Sequence, residues 1–398
     1  MPDLDPARRV SLLVGTTVGA FVVSSDPERR TWRTRGPLLP EWQVYDLMAL
    51  PGTGRLLAAT NRPADSPATE AVVHASDDHG VTWRRLPGSP RYPSGGPRGV
   101  REIWRFGEPD SAPDSRLYAG VADAGLFTSV DEGESWTLVT GLDSHPTRPF
   151  WDTPATAGCL HSIVVHPTDR RRIWVAVAGA GVFGSDDGGL SWEPRNSGLP
   201  PAPPDHPCPA VGRHVHKLAL DPRPPYPLYL QHRGNVSVST DRGRSWQPVA
   251  GSLPGAFGFP LVVDRCGTLY VAPLAGPGRR TMPDGRLALY RSADGGASWT
   301  ECRKGLPEAP RHVSVLRDSI SVDDSDPVGV YFGTTSGELF ASPDGGDSWR
   351  QIPGDFTRIT SLRTRVDDNA ASADAGPGST WGSAGGEQGP PGGVVEPA

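Results

Sequence analysis

The chain has 398 residues, of which 36% are hydrophobic and 21% charged, and its formal net charge is −6. This composition is that of a globular protein with a large core. It excludes a globally basic surface of the kind that attracts nucleic acid or an anionic membrane. Glycine (49 residues) and proline (44 residues) are abundant, which favours many short strands joined by turns over long helices.

The N-terminal stretch RRVSLLVGTTVGAFVVSS has two arginines before an apolar run, as a signal peptide does. However, VGTTVGAFVVSSD (14–26) aligns without gaps with FGTTSGELFASPD (332–344), so we interpret it as repeat material. No other stretch is apolar and long enough to span a bilayer. The four cysteines show no metal or disulfide spacing, and we expect free thiols in a cytoplasmic protein: Cys159, Cys208, Cys266 and Cys302.

An eight-residue motif, Ser-x-Asp-x-Gly-x-x-Trp, recurs along the chain. Its six copies start at Ser76, Ser129, Ser185, Ser239, Ser292 and Ser342, and Asp26 belongs to a degenerate seventh copy. The motif aspartates are 50 to 56 residues apart, a period typical of a propeller blade of four antiparallel strands. The motif fits the turn between the third and fourth strands, where Ser and Asp side chains bind backbone N–H groups and Gly allows a positive φ.

The strands of one blade are clearest around the Ser185 motif. There we predict strands at 160–167, 172–179 and 181–187, with a fourth strand beginning at 191–196. Seven motifs predict seven blades, and the segment 356–366 is predicted to supply the inner strand that blade 1 lacks, which closes the ring. The predicted propeller spans 10–366, and the Gly/Ala/Pro-rich segment 367–398 is expected to be a disordered tail.

The six good copies resemble the Asp-box (BNR) repeat, and the resemblance covers 10–366. It implies an all-β, WD40/YVTN-like propeller of seven blades. Such repeats occur in sialidases, xyloglucan-type endoglucanases, sortilin-like receptors and photosystem assembly factors. The repeat therefore indicates the fold and does not specify the function. As a whole the chain resembles bacterial proteins named exo-alpha-sialidase or BNR-repeat glycosyl hydrolase. It lacks the Phe/Tyr-Arg-Ile-Pro tetrapeptide of sialidases, and it has one propeller where the endoglucanases use two.

The resemblance implies a ligand face opposite the motif turns, where the inner strands begin. Aligning those strands places one residue of each blade first in a ring: Tyr45, Arg101, His161, His216, Phe259, Asp318 and Thr360. The next position contributes Asp46, Glu102 and Lys217, and we add Gln231, His232 and Arg317 to the predicted polar mouth. A concave site with converging polar groups is a natural place for a ligand.

Several functions fit this mouth. The favoured interpretation is a monomeric, non-catalytic scaffold without a cofactor, which binds a polar or anionic ligand, a carbohydrate or a protein loop. The alternative is a sialidase-like glycoside hydrolase that uses Asp46, Glu102 or Asp318. A weaker alternative is a metalloenzyme with His161, His214 and His216, joined by Cys159. A channel that holds only water is also open.

Two long loops precede the strands that carry the ring histidines, at 144–159 and 200–213. Loops of this length in a compact fold are usually functional or flexible. Phe150 and Trp151 in the first loop fit two roles equally well, stacking on a sugar or partner and packing over the blade edge.

Overall fold

The computed structural model describes residues 9–367 except 64–65, 67–68, 108–115, 152–157 and 250. Within this range the strands form seven four-stranded antiparallel sheets. The protein is therefore an all-β, seven-bladed propeller, as predicted. The tail predicted beyond the propeller lies outside the described residues from residue 368 onward.

The strands are numbered along the chain, and each blade runs from the channel outwards. Blade 1 contains β28 (Ile359–Asp367), β1 (Arg9–Thr16), β2 (Ala20–Ser25) and β3 (Trp32–Leu38). Blade 2 contains β4 (Gln43–Ala49), β5 (Leu56–Asn61), β6 (Ala71–Ser76) and β7 (Arg84–Arg85). Blade 3 contains β8 (Glu102–Gly107), β9 (Leu117–Ala122), β10 (Gly125–Ser129) and β11 (Thr137–Leu138). Blade 4 contains β12 (Leu160–Val165), β13 (Ile173–Val177), β14 (Gly181–Ser185) and β15 (Glu193–Pro194).

The remaining three blades follow the same order. Blade 5 contains β16 (Val215–Leu220), β17 (Leu228–His232), β18 (Asn235–Ser239) and β19 (Gln247–Pro248). Blade 6 contains β20 (Phe257–Val263), β21 (Leu269–Leu274), β22 (Leu289–Ser292) and β23 (Thr300–Cys302). Blade 7 contains β24 (Ile320–Val322), β25 (Val330–Gly333), β26 (Leu339–Ser342) and β27 (Arg350–Ile352). The helical segments of the described residues are α1 (Thr140–Asp143) and 3₁₀ turns at Arg148–Phe150 and Pro283–Gly285.

The ring is closed by strands from the two ends of the described chain. β28 pairs antiparallel with β1, from Arg9 opposite Asp367 to Val14 opposite Leu362. This confirms the predicted closure. Because β1 now lies between β28 and β2, the pairing removes the open edge that β1 would otherwise present.

The motif turns have the predicted chemistry. In blade 4, Ser185 Oγ donates to Asp187 Oδ1 (2.8 Å) and accepts the N–H of Gly189 (2.9 Å). Asp187 also accepts the N–H and Oγ–H of Ser191. These bonds to Ser191 lower the pKa of Asp187 to about 2. Trp192 Nε1 donates to the Gly189 carbonyl, so each side chain in this turn satisfies a specific polar group.

The degenerate turn of blade 1 holds the ring closure together. Asp26 still accepts the N–H of Arg30 and the hydroxyl of Thr31. Arg29 follows with φ +56° and inserts into blade 7, where its Nη1 lies 3.1 Å from the buried Asp323 carboxylate. This turn therefore lacks the motif glycine and instead forms a buried ion pair between blade 1 and blade 7.

The hydrophobic core lies between neighbouring blades rather than at the axis. One such cluster contains Trp151, which is fully buried and lies 4.6 Å from Phe183 between ring centroids. Of the two roles open to this tryptophan, the structure shows packing, because a buried ring cannot stack on a ligand. No helix among the described residues is apolar and long enough to cross a membrane.

Candidate ligand site in the channel

Most inner strands have a β-bulge where they enter the channel. In blade 2 the register passes from Val44 opposite Thr60 to Asp46 opposite Ala59, which leaves Tyr45 unpaired. A bulge bends the strand and re-aims the extra side chain. The same irregularity leaves one residue unpaired in the register of four other inner strands: Trp104, His161, His216 and Thr360. In blade 6 the register skips two residues, Phe259 and Pro260.

The bulge shows that the predicted register of blade 3 is wrong. Alignment of the inner strands places Arg101 in the ring and Glu102 behind it. In the structure Ile103 pairs with Val121 and Arg105 with Gly120, so Trp104 is the equivalent of Tyr45 and Arg105 is the equivalent of Asp46. Arg101 instead lies on the rim, half-exposed, in an ion pair with Asp123 (2.5 Å).

Behind the bulges, five charged side chains form a network across the channel. Arg363 binds Asp46 through two parallel contacts, Nε to Oδ1 (2.8 Å) and Nη2 to Oδ2 (2.7 Å). Arg105 Nη1 bridges the two carboxylates, 3.3 Å from Asp46 and 3.4 Å from Asp318. Lys217 Nζ completes the network, 2.5 Å from Asp318 Oδ1. Three cations therefore share two carboxylates.

This network argues against Asp46 and Asp318 as the general acid of a glycosidase. Burial alone would raise the pKa of Asp46, but the charges of Arg105 and Arg363 lower it overall. Burial likewise opposes ionisation of Asp318, and Lys217 and Arg105 overcome it, so its pKa is also lowered. A general acid of a glycosidase needs a raised pKa, and neither carboxylate has one.

We name as the narrow mouth a group of partly buried side chains at or next to the starts of the inner strands: Tyr45, Glu102, Trp104, Phe259 and Arg317. Glu102 accepts the Tyr45 hydroxyl at Oε1 (3.1 Å) and the Trp104 indole N–H at Oε2 (2.9 Å). The two aromatic rings lie 5.3 Å apart in a T-shaped pair. Burial and the Glu102 carboxylate raise the pKa of Tyr45, so this hydroxyl remains a donor.

Arg317 crosses the narrow mouth from blade 7. Its guanidinium lies 5.4 Å from the Trp104 ring centroid, within cation–π range. Its Nε donates to the backbone carbonyl of His216 in blade 5. The narrow mouth is therefore a half-buried surface of aromatic rings, one carboxylate and one guanidinium, with the five-charge network behind it.

The other predicted polar residues are used inside the protein. His216 Nδ1 binds the Gly258 carbonyl (2.6 Å), and burial with the nearby Arg317 charge lowers its pKa to about 3. Gln231 and His232 are almost fully buried. Gln231 donates to the carbonyl of Asn235, and His232 Nε2 contacts the hydroxyl of Ser237. Gln231 is thus bonded within the blade, and His232 lines a separate pocket, described below, which contains no residue of the narrow mouth.

The histidines proposed as metal ligands are not assembled into a site. His161 contacts the Ser162 hydroxyl through Nδ1 and the Val215 carbonyl through Nε2. His214 lies beside a separate 320 Å³ pocket under the proline-rich loop that begins at Pro200. Burial keeps Cys159 a thiol, with its pKa raised to about 11. Among the described residues no group of three His, Cys, Asp or Glu side chains could hold a metal ion.

A cavity of about 1720 Å³, which we name the wide cavity, lies in the channel on the side of the motif turns. Its lining includes Arg105, Lys217 and Arg363 of the network and His79 of the blade 2 motif turn. Sequence reasoning missed this cavity, together with Trp104, Arg105 and Arg363. A bulge-aware alignment would have recovered Trp104 and Arg105.

Comparison with known proteins places the chain near xyloglucan-degrading enzymes. The chain matches no known family model. It is 25% identical over 284 residues to a xyloglucanase of a Paenibacillus species, and the alignment covers 59% of this chain and 25% of that enzyme. It is also 25% identical over 275 residues to an oligoxyloglucan-reducing end-specific xyloglucanase of Emericella nidulans, and this alignment covers 59% of this chain and 32% of that protein.

The fold has a match among solved structures. A crystal structure of an ancestral GH74 enzyme matches with a TM-score of 0.51 and 18% identity, over 81% of this chain and 38% of that one. The chain thus spans about a quarter to two fifths of these proteins. The fold is therefore shared with a GH74 enzyme, and the sequence is weakly similar to parts of two xyloglucanases.

Proposed function

We propose that the chain is a carbohydrate-binding propeller of the glycoside hydrolase type, built from Asp-box (BNR) repeats, and that its saccharide lies at the narrow mouth. The observation that carries this proposal is the Glu102 carboxylate held between the Tyr45 hydroxyl and the Trp104 indole. The sequence similarity to xyloglucanases supports a saccharide as the ligand class.

The chemistry of the narrow mouth fits a sugar. Half-buried aromatic rings present apolar faces on which the C–H face of a pyranose can pack. A carboxylate offers about four acceptor sites, and the two aromatic donors to Glu102 leave others for sugar hydroxyls. Arg317 adds a planar donor at the same opening. Binding therefore needs no rearrangement of the buried network.

Hydrolysis is the second candidate function, favoured by the same similarity to xyloglucanases. Because Asp46 and Asp318 both lie within 3.4 Å of one Arg105 nitrogen, their nearest oxygens are less than about 7 Å apart, near the spacing of glycosidase carboxylates. However, their ion pairs lower the pKa of both carboxylates, which disfavours each of them as the general acid. For this second function we therefore assign the general acid to Glu102.

Calorimetric titration with a xyloglucan heptasaccharide, cellohexaose and sialyllactose tests the proposal. We expect saturable binding of at least one saccharide, with an affinity at least tenfold weaker in Glu102→Gln and in Trp104→Ala. The matched control is Glu301→Gln. Glu301 lies on the outer strand of blade 6 and pairs with Arg286, so this variant should bind the saccharide as the parent does. Absence of binding, or binding that both mouth variants retain, would overturn the proposal.

The same samples decide between binding and hydrolysis. Release of reducing ends from xyloglucan that disappears in Glu102→Gln assigns catalysis to the narrow mouth. Release that persists in this variant contradicts the role of Glu102, and binding without release leaves carbohydrate recognition as the function.

A further inference from the structure

One face of blade 1 carries two rows of residues that point into the wide cavity. Strand pairing aligns Arg365, Ser11, Ser24 and Arg33 across β28, β1, β2 and β3. The next row on the same face aligns Arg363, Leu13, Val22 and Arg35. All eight residues line the cavity. Since side chains of a strand alternate between faces, this face presents arginine at both ends of each row.

The cavity concentrates positive charge in an acidic protein. Among the cavity-lining residues that the structure describes, eight are Arg or Lys and two are Asp, whereas the whole chain has a net charge of −6. Of the two acids, Asp78 is engaged by Ser76 and Thr82 within its motif turn. Like charges gathered on one sheet face repel one another, and a bound anion would relieve that repulsion.

Three of these eight cations lie at the deep end of the cavity. There Arg105, Lys217 and Arg363 pair with the Asp46 and Asp318 carboxylates. The cavity-lining cations outside this network are Arg9, Arg33, Arg35, Arg265 and Arg365.

The rim has its own cations and one buried donor without an acceptor. Arg35 Nη2 donates to the His79 carbonyl, and Arg365 Nη1 lies 3.2 Å from the His79 ring nitrogen. The Nε atom of Arg9 is buried and has no hydrogen-bond partner among the described residues. Donors that converge on a large cavity with low-dielectric walls focus the field on an anion.

We propose that this cavity binds a multivalent oxyanion, a small molecule with several phosphate, sulfate or carboxylate groups, through the arginines of blade 1. The site is separate from the narrow mouth, because none of Tyr45, Glu102 or Arg317 lines the cavity. The guanidinium fork matches oxyanions in two-point contacts, and the volume of about 1720 Å³ exceeds that of a pocket for a single small ligand.

Calorimetric titration of the full chain with three probes tests this site: inorganic tripolyphosphate, trigalacturonate and neutral cellotriose. At 50 mM NaCl we expect tripolyphosphate or trigalacturonate to bind and cellotriose not to compete. The affinity should fall at least fivefold between 50 and 300 mM NaCl, because exposed charges are screened. Preference for one anion identifies phosphate or carboxylate as the natural chemistry.

The variant Arg35→Gln/Arg365→Gln should lose at least tenfold in affinity for the bound anion. The matched control is Arg350→Gln, an exposed arginine on β27 outside the cavity, which should change affinity less than twofold. Arg33→Gln, exposed at the rim, repeats the test if the double variant does not fold. The Glu102→Gln variant should keep full anion binding, which separates this site from the saccharide site.

Two results would overturn the proposal. One is failure of both anions to bind at 50 mM NaCl. The other is binding that Arg35→Gln/Arg365→Gln and Arg33→Gln leave unchanged.

Discussion

The substitution Asp46→Ala tests the buried network most severely. Asp46 is fully buried and accepts hydrogen bonds from Arg363, Arg105 and the backbone N–H of Phe106. Removal of its carboxylate takes away both charge-assisted hydrogen bonds between Asp46 and the buried Arg363 guanidinium. It also takes away one of the two carboxylates that the structure places beside Arg105, and the contact with Asp318 remains. An uncompensated buried charge is costly.

The expected loss in the free energy of unfolding is about 3–5 kcal/mol, the usual cost of removing one partner from a buried ion pair. The compensating variant is Asp46→Leu/Arg363→Met, which removes both charges and fills a similar volume. Because paired removal is often neutral, we expect this double variant to recover most of the loss, while Arg105 keeps its contact with Asp318.

Guanidinium unfolding at pH 7, followed by tryptophan fluorescence and far-ultraviolet circular dichroism, measures both variants. Coincident curves from the two probes justify a two-state free energy. The pKa of Asp46 is lowered on folding, so its contribution is complete above the unfolded carboxyl pKa of about 3.9. It disappears as the pH falls through the lower folded value, and the gap between parent and variant should narrow there.

Two outcomes would refute this reasoning. The first is a loss below about 1 kcal/mol in Asp46→Ala, which is far below the cost of an unpaired buried charge. The second is a double variant as unstable as Asp46→Ala, because the network would then stabilise through packing and not through charge pairing.

Three further predictions concern single groups. Folding lowers the pKa of His216 to about 3, so the stability of the protein should fall as the pH drops below about 6.5. His216→Asn keeps a donor toward Gly258 and removes the titrating group, so its melting temperature should depend less steeply on pH between 6.5 and 4.5. The same dependence in the variant and the parent would contradict this prediction. Asp187→Asn weakens the acceptor for Ser191 in an exposed turn. The free energy of unfolding, measured by denaturant titration, should fall by about 1 kcal/mol or less, and a fall above about 3 kcal/mol would contradict a local role. Under native conditions at pH 8 a maleimide reagent should modify exposed Cys266 and spare buried Cys159, whose raised pKa keeps it a thiol; rapid modification of Cys159 would contradict its burial.

The fold was predictable because its signals are local. Each motif turn satisfies its own Ser and Asp side chains, so every blade repeats the same short pattern and the period counts the blades. Even the ring closure followed from the sequence, because the chain carries a spare strand at 356–366 and blade 1 lacks one.

The site was only partly predictable because its contacts are long-range. The stretch around Ile103 and Trp104 reads as a strand in more than one register, and the bulge that settles it depends on pairing with Val121 and Gly120. The bidentate contact between Arg363 and Asp46 joins residues 317 positions apart, and no local pattern announces it. The predicted ring therefore includes side chains that bond inside the protein, such as His216, and it lacks Arg105.

A crystal soaked with a xyloglucan heptasaccharide tests the central claim most directly. The account predicts sugar density packed on Tyr45 and Trp104, with a hydroxyl within about 3.2 Å of a Glu102 oxygen. Density confined to the wide cavity, or to the outer surface of the blades, would contradict the assignment of the saccharide to the narrow mouth.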